Sequence, residues 1–80
     1  MMLFYQLVKT SKLDVEGRLY QVRYFVMETL RGVRRYSSEL TLGPDDRIIV
    51  DGGSLTEVEL KISRLGPTTI YSRSLARQAA

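Results

Sequence analysis

The sequence predicts an α+β domain: an antiparallel β-meander of three to four strands with a C-terminal helix packed on one face. Three observations predict it. Arg18 to Leu42 reads as two long alternating strands joined at Arg31-Gly32. Turn chemistry recurs on either side, at Glu16-Gly17 and at Gly43-Pro44-Asp45-Asp46. Ser54 followed three residues later by Glu57 forms a capping box, in which each side chain satisfies an orphan backbone N–H at a helix start. The alternative is an all-β small barrel, which follows if residues 55–65 form a strand instead.

The first strand is expected over Leu3 to Lys9. Leu3, Tyr5 and Leu7 alternate with Phe4, Gln6 and Val8, and aromatic and branched residues suit a pleated surface. Thr10-Ser11-Lys12 reads as a turn or irregular edge, with Leu13 and Val15 continuing the strand beyond it. Glu16-Gly17 then turns the chain, because glycine accepts the positive φ that tight hairpins need.

Along the second strand Tyr20, Val22, Tyr24 and Val26 point one way and form the better core face. Gln21, Arg23 and Thr29 point the other way, with Phe25 and Met27 among them. After Arg31-Gly32, the strand from Val33 to Leu42 sets Arg34, Tyr36, Ser38, Leu40 and Leu42 on one face. Arg35, Ser37, Glu39 and Thr41 fall on the other and read as solvated, since antiparallel sheets commonly keep one wet face. The hairpin places Tyr24 and Val26 near Tyr36.

Proline and the aspartates of Gly43-Pro44-Asp45-Asp46 favour a turn. Arg47 to Val50 is a short fourth strand, ended by Asp51-Gly52-Gly53. Leu55 to Leu65 fits both periods. As a strand, Val58, Leu60 and Ile62 alternate with Glu57, Glu59 and Lys61. As a helix, Leu55, Val58, Ile62 and Leu65 share a stripe. The ends decide for helix: a capping box opens it and Gly66-Pro67 reads as its stop. Thr68 onward reads as a second short helix or a strand.

With 80 residues the chain is one domain, 1–80, and 44% hydrophobic with 26% charged residues is ordinary globular composition. There is no cysteine and no histidine, which removes disulfides, Cys/His zinc sites and His-based triads. No apolar run approaches the roughly 20 residues of a membrane span. The first residues lack a basic segment and a small-residue cleavage site, so they do not read as a secretory signal. A cytoplasmic protein with no membrane association is expected. No cofactor and no metal are expected either.

Four groups are candidate sites. Arg23, Arg31, Arg34 and Arg35 with Tyr36 make a basic hairpin that could hold phosphates and stack bases; otherwise the arginines solvate an outer face and the tyrosine is core. Asp51-Gly52-Gly53-Ser54 could present N–H groups to an anion, but it lacks a Walker pattern and Asp51 would repel one. Asp45, Asp46 and Asp51 could hold a hard cation, yet they sit as turn residues do. Glu57, Glu59 and Lys61 read as a solvated helix face with a Glu57–Lys61 pair. No catalytic constellation emerges, so an enzyme is not expected. The functional expectation is a non-enzymatic interaction module, self-associating as a homo-oligomer or binding a protein through a sheet apolar on both sides at Phe4, Val8, Phe25 and Met27. A nucleic-acid-binding domain built on the basic hairpin is the alternative.

Overall fold

A computed structural model of the chain describes the backbone of residues 2–79 and the side chains of residues 5–76. Four strands, β1 (Met2–Val15), β2 (Arg18–Thr29), β3 (Arg34–Gly43) and β4 (Asp46–Gly52), precede one helix, α1 (Leu55–Ala79). The sheet is an antiparallel meander in the order β1-β2-β3-β4, open at both edges, so it is not a closed barrel. Residues 55–65 are helical, and α1 packs against the face carrying Tyr20, Val22, Tyr24, Val26, Tyr36 and Leu40. Among the described residues no helix is long and apolar enough to cross a membrane.

Register follows from the turns. Val15 pairs with Arg18 across a two-residue loop in which Glu16 and Gly17 both have positive φ, 54° and 81°. That geometry matches the right-handed twist of the flanking strands. Gly17 N–H donates to Asp14 Oδ1 at 2.9 Å. Glutamate is the costly member of this pair, because a Cβ crowds the backbone in the left-handed region. Glu16→Gly should therefore stabilise the domain by about 0.5–1 kcal/mol, read as a higher urea midpoint at unchanged slope. The second hairpin closes through Gly32 N–H to Thr29 O at 3.0 Å, with Gly32 at φ 78°.

The core lies between sheet and helix. Val22, Tyr24, Leu40, Val58 and Ile62 are its buried centre, with Leu13, Tyr20, Tyr36, Ile48, Val50 and Ile70 around it. Val26 pairs directly with Tyr36, and Tyr24 sits opposite Ser38. The helix begins as its cap predicts. Ser54 Oγ accepts from Glu57 N–H at 3.1 Å, and Glu57 Oε2 accepts from Gly53 N–H at 2.9 Å. Gly52 is required here, since a Cβ would stand 3.0 Å from Val58 Cγ1.

The Gly53 N–H and the nearby Lys61 ammonium hold the Glu57 carboxyl below its ordinary pKa. A carboxylate with a lowered folded pKa contributes stability that is fully present above its unfolded value, near 4.3 for glutamate, and lost as pH falls through the folded value. The Gly53 amide resonance should shift with a midpoint below that of free glutamate. Glu57→Gln should abolish the shift.

Three expectations are corrected. Thr10-Ser11-Lys12 does not break the first strand, because β1 runs unbroken to Val15. The irregularity falls instead between Leu7 and Lys9, where Val8 is the extra residue of a bulge. Gly66-Pro67 does not stop the helix, and no separate second helix or strand follows. Ile70 packs on the core and Arg73 pairs with Asp46, so contacts beyond the proline hold the helix in place. Finally, Ser37 and Glu39 are not solvated; both are buried on the face away from α1. They lie in an inner strand where the longer Arg23, Phe25 and Arg47 side chains close over them.

Candidate protein-binding face

The sheet face opposite α1 is built in rows by the register. One row is Tyr5–Met27–Arg35, the next Leu7–Phe25–Ser37–Asp51, the next Thr10–Arg23–Glu39–Ile49. Tyr5 stacks on Phe25 with ring centroids 4.6 Å apart and 15° between planes. Phe25 is thereby buried at 9% exposure, and Tyr5 becomes the ring that solvent meets, 49% exposed. Leu7, Leu19 and Ile49 are also large, apolar and about half or more exposed.

A charged network is embedded in this surface. Glu39, buried at the centre, accepts from Arg23 and lies 3.6 Å from Arg47 Nη1. The Arg23 guanidinium also sits 5.6 Å from the Phe25 ring centre, while its Nε is buried without a hydrogen-bond acceptor among the described residues. Two cations on one carboxylate satisfy the buried charge, since an unpaired carboxylate in this position would be strongly destabilising. Counted by register, Lys12, Arg23, Arg35 and Arg47 oppose Asp14, Glu39 and Asp51 on this face, leaving it close to neutral.

The expected self-association set is only partly brought together. Phe25 and Met27 share this face. Val8 lines the opposite side, beside Val26, Tyr36 and Leu55. The side chain of Phe4 lies outside the described residues. Tyr5, Leu7, Leu19 and Ile49 also lie exposed on this face, outside the expected set. The expected nucleic-acid set does not form one surface either. Arg23 and Arg35 point away from α1; Arg34 and Tyr36 lie on the helix side; Arg31 occupies the hairpin loop. Arg34 is held by Glu28 at 3.2 Å.

The remaining groups are occupied by structural work. Asp46 pairs with Arg73, and among the described residues no three acidic side chains converge as metal ligands. Glu57 pairs with Lys61 at 3.4 Å, and Glu59 with Lys9 at 2.9 Å, which raises the lysine pKa. The Asp51-Gly52-Gly53-Ser54 segment turns the chain into the capped start of α1, and Lys61 Nζ donates to the Asp51 carbonyl at 2.7 Å. Comparison with known proteins finds no protein-family model, no curated protein and no solved structure that matches the chain.

Proposed function

We propose that this chain is a non-enzymatic interaction module that self-associates through the sheet face opposite α1. The observation that carries the reading is the exposed apolar side chains of Tyr5, Leu7, Leu19 and Ile49 on a face that, among the described residues, no element covers. Tyr5 and Leu7 stand in adjacent rows beside Phe25 and Met27, and an exposed apolar cluster of this kind marks an interaction site. The occupant is a second copy, because a two-fold interface must complement itself. A face carrying both signs in near balance, with apolar side chains flanking the central Arg23–Glu39–Arg47 network, meets that demand. A nucleic-acid partner would favour a strongly positive surface; here Glu39 ties up Arg23 and Arg47, and the hairpin arginines are divided between two faces. Small size adds a motive, since an 80-residue chain buries only about 60–65% of its unfolded surface and gains stability from association.

Sedimentation equilibrium over a concentration series should give a reversible dimer. The double variant Leu7→Lys, Ile49→Lys should be monomeric, with an unchanged circular dichroism spectrum. A wild-type chain that stays monomeric at its highest attainable concentration would refute the proposal. So would a dimer indifferent to both substitutions.

A further inference from the structure

We infer that the cleft between the second half of α1 and the β1–β2 hairpin binds a small amphipathic anion, a carboxylate with an apolar body. The cleft has a physical origin. At Gly66 the helix touches the sheet through Leu13 and Leu40. Beyond that point, past the seat of Ile70 on the core, a cleft opens that is lined by Ile70, Tyr71 and Leu75 on the helix and by Val15, Tyr20 and Leu42 on the sheet. The space between is about 670 Å³, within the range of roughly 300–1,000 Å³ typical of small-molecule sites. It lies on the helix side of the sheet, away from the proposed self-association face.

Charge selects the ligand. Arg73 lines the cleft but is bound to Asp46. Arg18 also lines it, and among the described residues no carboxylate lies within ion-pair distance of it. Its guanidinium rests 5.7 Å from the Tyr20 ring centre, a position that steadies the group over an aromatic wall. A planar guanidinium with no acidic partner, set beside apolar walls, is suited to a carboxylate held by paired N–H donors. Glu16 stands on the same rim and opposes an anion. The two rim charges therefore make opposite predictions.

The probe is decanoate, kept below its micellar concentration and titrated into the ¹⁵N-labelled chain. Saturable amide shifts are expected at Tyr20, Leu42, Ile70 and Tyr71. Arg18→Gln should weaken binding about ten-fold, the scale of one charge-assisted contact. Glu16→Gln should tighten it, and decanol should bind more weakly than decanoate. Both substitutions are at exposed positions of the hairpin, so the fold is retained. The proposal is overturned by non-saturating shifts, by shifts confined to Tyr5, Leu7 and Ile49, or by equal affinity of Arg18→Gln. Equal affinity for decanol would equally overturn it. None of these outcomes depends on whether the chain dimerises.

Discussion

Leu40→Ala should cost the domain about 3–5 kcal/mol, the largest loss expected of any single truncation. Leu40 is fully buried in an inner strand, paired to Val22 on one side and Ile48 on the other. Its Cδ2 lies 3.2 Å from where a Cβ would stand on Gly66, so helix backbone forms the lid over it. A helix tied at its start by the Ser54 cap and further along by Arg73–Asp46 cannot sink to fill the void. For 80 residues the whole stability is on the order of 4–12 kcal/mol, so the loss is a large share of it. Urea titration at low protein concentration measures this as a lower midpoint at unchanged slope. Leu7→Ala is the matched comparison. Leu7 is half exposed on the face away from α1, and its truncation should cost less than about 1 kcal/mol in the monomer. Equal costs at the two positions would mean that the outer face is as buried as the core.

That contrast was legible in part from the sequence. The alternation of Tyr20, Val22, Tyr24 and Val26 identified the core face of β2, and Tyr36 and Leu40 identified that of β3. The Ser54–Glu57 box identified the start of the helix when periodicity alone could not separate helix from strand. The second faces of β2 and β3, with Arg23, Phe25, Met27 and Arg35, were legible too; the β1 members of that outer face were not, and the bulge explains why. Counting back from the Glu16-Gly17 turn without interruption pairs Val8 with Phe25, and the alternation then places Phe4 and Val8 beside Phe25 and Met27. The extra residue at Val8 shifts the pairing by one, so Leu7 meets Phe25 and Tyr5 meets Met27. A one-residue slip moves every side chain to the other face, and no local residue type marks where it happens. Ser37 and Glu39 were misjudged for a related reason. Polarity alone reads them as solvated, whereas their burial is decided by neighbours on other strands: Arg23, Phe25 and Arg47.

Pro67→Ala should stabilise the domain by about 1–3 kcal/mol. Glycine and proline together are the usual end of a helix, yet α1 continues from Pro67 to Ala79. Proline has no N–H to give the Ser63 carbonyl one turn earlier, and its ring crowds that carbonyl. The helix survives because its second half is fastened independently, by Ile70 in the core and Arg73 on Asp46. Hydroxyls of Thr68 and Thr69 also donate back to the Arg64 and Leu65 carbonyls, at 3.5 and 2.8 Å. Alanine restores the missing donor without disturbing these ties, so urea midpoint and helical ellipticity at 222 nm should rise together. Were the helix to end at Leu65, the same substitution would leave ellipticity unchanged and only loosen the unfolded chain. The preceding residue should respond with the opposite sign. At Gly66 a Cβ would lie 2.7 Å from Leu13 Cδ2, so Gly66→Val would push the helix off the sheet and should lose about 1–3 kcal/mol by overpacking. Adjacent substitutions of opposite effect distinguish a continuous helix packed at its glycine from a chain that merely turns there.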